Sequence, residues 1–298
     1  MPDDACAASP DDQPDGEPVP GGLVLVSTPI GNLGDVSTRA RETLASSDLI
    51  LCEDTRHSGH LLTALGIKAR TGPLHEHNED ARIGPVLALL RAGRRVALVS
   101  DAGTPLLSDP GFRLVRAAIA EGLPVSAVPG PNAALTALVL SGLPPVPFLF
   151  LGFPPPRAAA RRAAFGGLRA AEHAGLAATL IWHEAPHRLA ETLADMAAAF
   201  GARPAAVGRE LTKRFEEVRR GTLPDLAAWY AGHPARGEVT VLVGPGRQEA
   251  DDEGLDERLR AALAGGSVKD AAALVATATG LPRKVVYARA LELAADRG

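Results

Sequence analysis

VALVSDAGTPLLSDPG, residues 96–111, joins an apolar run, Val96 to Val99, to two acid-Gly-Pro clusters, Asp101 to Pro105 and Ser108 to Gly111. The run is short and does not alternate apolar with polar residues, the pattern of a strand covered on both faces. A connector needs only a few turn residues. Residues 101–111 instead carry two carboxylates, two prolines and two glycines, which suggests one wall of a binding cleft.

The same grammar repeats on either side. Leu23–Val26, Leu49–Cys52 and Val125–Val128 read as short buried strands. They are followed by the polar clusters TPIGNLGD, CEDTRH and PGPN. Between them lie helical stretches: one capped by Ser37 and running through Leu44, one carrying Leu61, Leu62 and Leu65 and ending at Gly66, and others at 83–91, 112–120 and up to Leu140. Strands alternating with helices of about ten residues imply βαβ units and a parallel sheet. Ligands of such sheets sit beyond the carboxyl ends of the strands, so the four clusters should meet at one sheet edge. Pro144–Pro147 then reads as a linker. A second α/β unit follows, with strands at 178–182, 205–207 and 239–243, a helix at 188–200, and a polar segment at 208–221. The expected organisation is a disordered acidic tail (1–20), α/β domains at 22–143 and 146–246, an acidic linker (247–254) and a small helical domain (255–298).

Composition narrows the classes. The 298 residues are 46% hydrophobic and 22% charged, as in globular proteins, with a net charge of −4. Six acids and no base fall in residues 1–20, so the remainder carries 31 bases against 29 acids (35 less 6). Any nucleic-acid contact must therefore come from local basic patches. Two cysteines give no disulfide framework or zinc site, and the first residues have no signal-peptide pattern, so the expected compartment is the cytoplasm. No membrane span is expected. GxxxxGK[ST], GxGxxG and GxSxG are absent. The spacings of His57 with His60, and of His75-Glu76-His77-Asn78, match no common metal site, so no metal is expected.

Taken together, TPIGNLGD, CEDTRH, HEHN, VALVSDAGTPLLSDPGFRLVRAA, PGPNAALTAL, FLGFPPPR, HEAPHRL and RELTKRFEEVRRGTL resemble the ribosomal RNA small subunit methyltransferase I family. This is the 16S rRNA cytidine 2′-O-methyltransferase branch of the tetrapyrrole methylase superfamily. The likeness runs in order from about Leu23 to Gly244, and KDAAALVATATGLPRKVVYARAL resembles the family's small C-terminal helical domain. The chain departs from the family pattern at His183 and Ala185, where Tyr and Ser are usual, and at Arg157, where Lys is usual.

The resemblance implies two α/β domains of the tetrapyrrole methylase (class III methyltransferase) type, with S-adenosylmethionine in the interdomain cleft. It also implies a homodimer and a 16S rRNA or small-subunit substrate. On the cofactor it implies Asp101, Ala102, Gly103 and Thr104, with Pro29, Gly31 and Asn32 opposite. Pro131, Asn132 and Ala133 are expected to touch it too, as are Glu184, Val207, Val239 and Thr240 of the second domain. A ribose hydroxyl is a poor acid, so Glu53 or the HEHN loop (His75, Glu76) is the candidate for orienting the nucleophile. Arg56, His57, His77, Arg157, Arg161, Arg162 and Arg188 are candidates for RNA contact. Arg219 and Arg220 read equally well as a solvated face. The terminal helices, with Arg283 and Lys284, are either a second RNA contact or a packing module. Two other readings stand beside this one: a methyltransferase for corrinoid precursors or diphthine, and a ligand-sensing regulator with a terminal helix-turn-helix.

Overall fold

The computed structural model describes residues 21–246, 252–279 and 283–295; the acidic tail, most of the acidic linker and residues 280–282 lie outside these residues. The first sheet contains β1 (Leu23–Val26), β2 (Leu49–Cys52), β3 (Thr71–Pro73), β4 (Val96–Leu98) and β5 (Val125–Val128). Its order is β3-β2-β4-β1-β5 and every pairing is parallel. β1, β2 and β4 are apolar because helices cover both faces, whereas β5, expected to be buried, is an edge strand exposed at Ser126 and Ala127. One face packs Val24, Val26, Ile50 and Ala97 against α1 (Thr38–Ala45) and α2 (Thr55–Ala64). The other packs Leu23, Leu51, Val96 and Leu98 against α3 (Glu79–Arg91) and α4 (Phe112–Ala120).

Ser37 caps α1, its hydroxyl accepting from the Ala40 amide at 3.1 Å. The third helix starts at Glu79 rather than at 83, because Glu79 and Asp80 occupy its first turn. Glu79 is buried, and its carboxylate accepts from the Arg113 and Leu114 amides at 2.8 and 3.1 Å. It thereby satisfies the open first turn of α4, whose own cap position, Gly111, has no side chain.

The second sheet contains β6 (Phe148–Phe150), β7 (Thr179–Glu184), β8 (Pro204–Arg209), β9 (Glu217–Thr222) and β10 (Val239–Val243), in the order β6-β7-β10-β8-β9. Only β6–β7 is parallel; the other three pairings are antiparallel. β9 lies within the stretch read from sequence as a polar segment. As an edge strand it is half-exposed, which is why it carries Arg219 and Arg220. Those two arginines do not form a simple solvated face. Arg220 bonds the Leu140 and Ser141 carbonyls at the end of α5 (Ala133–Ser141), and Arg219 lies 3.8 Å from the Trp229 ring centroid.

Side chains alternate across the second sheet with the two-residue period of a strand. Leu180, Trp182, Val241 and Val243 join the core with α6 (Ala158–His173), α7 (Leu189–Phe200) and α8 (Leu223–Gly232). Ile181, Ala206 and Leu242 face the other way, onto Ala134, Ala137 and Leu138 of α5 and onto Ile30. Helix α5 thus joins the two sheets, and its N-terminus opens on the cleft between them. Beyond residue 251, α9 (Asp252–Leu263), α10 (Val268–Thr279) and α11 (Arg283–Ala295) pack around a separate core of Leu259, Ala272, Val275, Val286 and Ala290.

Candidate active site

The loops after β1, β4 and β5 are sewn together at the edge of the first sheet. Thr28 and Gly103 exchange backbone hydrogen bonds of 2.9 and 3.1 Å. The buried Thr28 hydroxyl donates to the Ser100 carbonyl at 3.2 Å. The Thr104 hydroxyl donates to the Pro131 carbonyl and accepts from the Asn132 side-chain Nδ2, both at 3.2 Å. The Asn132 side-chain Oδ1 then caps α5 by accepting from the Leu135 backbone amide. The β2 loop joins through the Asp54 amide, which donates to Asp101 at 3.3 Å.

The opening stretch needs unusual backbone to do this. Gly103 (φ 82°) and Gly111 (φ 116°) occupy the left-handed region, as do Leu106 (φ 73°) and Ser108 (φ 71°). Left-handed non-glycine residues are uncommon and cluster at functional sites.

A cavity of about 360 Å³ lies between these loops and the second sheet. Asp101, Ala102, Gly103, Thr104, Asn132 and Ala133 line it from the first domain; Glu184, Val239 and Thr240 line it from the second. Its size is that of a small-molecule site, which spans roughly 300–1,000 Å³. A second cavity of about 370 Å³ adjoins it and shares Ile30, Asp101, Ala102 and Glu238. Pro29 and Gly31 line this second space rather than the first, and Asn32 lines neither: its side chain caps the short turn Leu33–Asp35. Pro131 reaches the site only through its carbonyl to Thr104. Val207 faces the core cluster of the second domain, because β8 alternates and its neighbour Ala206 faces α5.

Several polar candidates have their bonding committed elsewhere. Glu184 is buried; its carboxylate accepts from the Ala185 amide at 2.7 Å, Thr192 at 2.5 Å and Arg188 at 3.3 Å. Arg188 also donates to the Pro154 and Pro155 carbonyls, so it ties the FPPPR loop to β7 instead of facing RNA. Arg161 is only 2% exposed and pairs with Asp195 at 2.7 Å, which withdraws it from any RNA surface. Arg56, His57, His77, Arg157 and Arg162 remain exposed.

The cleft carries a strong local field. Burial and the neighbouring carboxylates Glu53 and Asp101 push the Asp109 carboxyl up to about 7. Burial also raises Glu53, with the charges of Asp101 and Glu76 adding to it and His75 opposing. Glu53, His75 and Glu76 line neither cavity; Glu53 is an electrostatic neighbour of Asp101 and Asp109, and His75 and Glu76 act on Glu53. Glu76 and His77 are exposed at the HEHN turn, where Asn78 accepts from the His75 amide at 2.9 Å. Asp109, Phe153, His183 and Glu238 also line the first cavity, and no local sequence pattern singles them out. His183 lies 5.0 Å from the Phe150 ring and 5.7 Å from Phe153, bonds Thr240 at 3.2 Å, and is held below the ordinary histidine range by burial. No group of three or more His, Cys, Asp or Glu among the described residues could hold a metal ion, and none of the described helices is long and apolar enough to cross a membrane.

Two α/β domains facing each other across such a cleft define a class. The chain belongs to the family of Tetrapyrrole (Corrin/Porphyrin) Methylases, which matches residues 22–227, and the RsmI C-terminal HTH domain matches residues 248–294. Full-length relatives place it in the branch of ribosomal RNA small subunit methyltransferase I. The protein of that name from Mesorhizobium japonicum is 48% identical over 279 residues, 93% of each chain. The one from Escherichia coli O157:H7 is 42% identical over 277 residues, covering 91% of this chain and 95% of the relative. Among solved structures, the methyltransferase CobJ matches 76% of this chain and 94% of its own at 18% identity, with a TM-score of 0.55. Uroporphyrin-III C-methyltransferase from Thermus thermophilus, complexed with S-adenosylhomocysteine, matches 75% of this chain and 97% of its own at 17% identity, with a TM-score of 0.52.

Proposed function

We propose that the protein transfers a methyl group from S-adenosylmethionine to the ribose 2′-hydroxyl of a cytidine in the decoding region of 16S ribosomal RNA. The observation that carries this reading is the place of Asp101, at the wall common to two adjoining cavities. That arrangement suits two reactants meeting, and the full-length relatives named ribosomal RNA small subunit methyltransferase I supply the substrate class.

The first cavity fits the methyl donor. Its walls are mainly apolar, with Ile30, Leu107, Phe150 and Phe153 offering surface to a nucleoside, while Asp101 and Asp109 offer negative charge to a cation. S-adenosylmethionine bound there supplies an electrophilic methyl group on a positively charged sulfur. Asp101, Gly103, Thr104, Asn132 and Ala133 would hold it from one domain, with Val239 and Thr240 from the other. The sewn loops hold their positions before any ligand arrives, so alignment costs little at the moment of reaction.

The chain's own groups must also receive the proton of the ribose hydroxyl. Asp101, on the wall the two cavities share, is the carboxylate placed for it, and Asp109, whose carboxyl is pushed up to about 7, lines the donor cavity with it. Glu53 acts on this field from outside the cavities, and His75 and Glu76 act on Glu53. The exposed Arg56, His57, His77, Arg157 and Arg162 are the proposed RNA contacts.

We read the protein as a cytoplasmic homodimer. Exposed apolar side chains on α5 and the following linker, Leu135, Val139 and Val146, support a self-association face; light scattering would report the mass. Incubation with labelled S-adenosylmethionine and small-subunit RNA tests the reaction. Label should enter the RNA with the native chain and be lost with Asp101→Ala. Label on a small molecule alone would point to the corrinoid reading instead, and label on a protein to the diphthine reading.

A further inference from the structure

The second cavity has a composition of its own. Helix α2 lays His57, His60, Leu61 and Ala64 along it, the i, i+3, i+4, i+7 face of a helix, while Ser58 and Leu62 on the opposite face are buried in the domain. His57, His60 and Leu33 are exposed at this cavity, so it is open to a large partner. Across from α2 stand Lys213 and Glu238. The Lys213 ammonium donates to Glu238 at 2.9 Å and to Glu210 at 3.0 Å. Gly31 makes room for it: a Cβ there would stand 2.3 Å from Lys213 Cγ.

The geometry points to this second cavity as the seat of the acceptor nucleoside, a single pyrimidine ribonucleoside splayed out of the RNA, with the Lys213–Glu238 pair facing its base edge. This rests on the functional reading above. Sequence-specific RNA recognition works on unstacked bases held against aromatic rings, imidazole included, and His57 and His60 provide such rings. A cytosine edge offers an amino donor beside acceptors; a carboxylate accepts from the amino group and an ammonium donates to the acceptors. Glu238 and Lys213 are that couple, already oriented. Arg56, paired with Asp54 at 2.8 Å and with its side chain 87% exposed, is next to His57 in the first turn of α2, where a neighbouring phosphate would compete for it. The shared wall at Asp101 then brings the acceptor ribose beside the donor cavity.

The alternative occupant is an extension of the methyl donor itself, and one experiment separates the two. Affinity for S-adenosylmethionine is measured by calorimetry on the protein alone, and steady-state methyl transfer is measured with small-subunit RNA. Ala64→Trp fills the cavity from an exposed position, and His60→Ala removes a ring. Ala64→Trp should lower kcat/KM for RNA about 10-fold or more and His60→Ala should raise KM for RNA about 10-fold, with donor affinity within about twofold in both. If Ala64→Trp does not fold, His60→Ala decides. Loss of donor affinity in either variant, or unchanged KM in both, would overturn the assignment. If the unsubstituted enzyme methylates RNA and the variants match it, only the nucleoside seat falls; if the unsubstituted enzyme transfers nothing to RNA, the functional reading falls with it.

Discussion

Thr28 and Gly103, 75 residues apart, form a two-residue antiparallel bridge: the Thr28 amide donates to the Gly103 carbonyl at 2.9 Å and the Gly103 amide to the Thr28 carbonyl at 3.1 Å. The bridge locks the loop after β1 to the loop after β4. It sets Ile30 against Gly103, where a Cβ would meet Ile30 Cγ2 at 3.2 Å. Both cavities are built on this clasp, because Ile30 and Asp101 belong to each.

Asp101 and Asp109 should be separable by pH. Asp101→Ala should weaken S-adenosylmethionine binding about 10-fold or more, roughly 1.4 kcal/mol, at both pH 6 and pH 8. Asp109→Ala should cost far less at pH 6, where its carboxyl, pushed up to about 7, is mostly neutral. Titration calorimetry at the two pH values checks this. Equal losses throughout would show one undivided site.

The same group ties stability to pH. The folded state holds the Asp109 proton up to about pH 7, whereas an unfolded chain releases it near 3.8. The native state therefore binds more protons across that window, and stability falls as pH rises through it. Asp109→Asn removes the penalty, so its melting temperature should exceed that of the native chain by roughly 2–4 °C at pH 8, with the gap closing below pH 4. Donor binding near pH 6.5 should also release a fraction of a proton, since a cation draws the carboxyl down. Calorimetry in buffers of different ionisation enthalpy reads that release, which Asp109→Asn should abolish.

Gly111 bears on folding rather than chemistry. Its φ of 116° disfavours any side chain, and a Cβ would stand 2.6 Å from Leu98 Cδ2 in the core. Gly111→Ala should destabilise the protein by about 1–3 kcal/mol, read as a lowered denaturant midpoint. An unchanged midpoint would mean that the α4 entry is not held as described.

The basic stretch should split in two. Arg161→Ala removes the 2.7 Å partner of Asp195, leaves it only Arg162 at 3.5 Å, and should cost about 1.5–3 kcal/mol of stability. Arg157→Ala, on an exposed residue, should leave the melt unchanged, raise KM for RNA and reduce its salt dependence. The two effects appear in thermal melts and in KM measured against salt.

Legibility from sequence followed periodicity and failed where tertiary context decides. The strands Leu23–Val26 and Leu49–Cys52 announce themselves as dense apolar runs, and their strand-end loops as polar clusters. β3 was missed because Thr71-Gly72-Pro73 has no such run, and β9 because an edge strand can carry Arg219 and Arg220. Glu79 as a cap for α4 is a contact across 34 residues that no local pattern encodes. In the site, the glycine- and proline-rich loops were legible as loops; which side chains face inward was not. Val207 and Ala206 differ only by alternation, whereas Arg161 is buried within α6 and Arg157 stands exposed at its N-cap.

The measurement closest to the central claim is a map of the modified nucleotide. Small subunits or their RNA lacking the modification are incubated with the protein and S-adenosylmethionine, the RNA is digested, and methylated nucleosides are identified by mass spectrometry. The account predicts 2′-O-methylcytidine at a decoding-region position, absent when Asp101 is replaced by Ala. A base-methylated nucleoside, or RNA without any new methyl group, would contradict it.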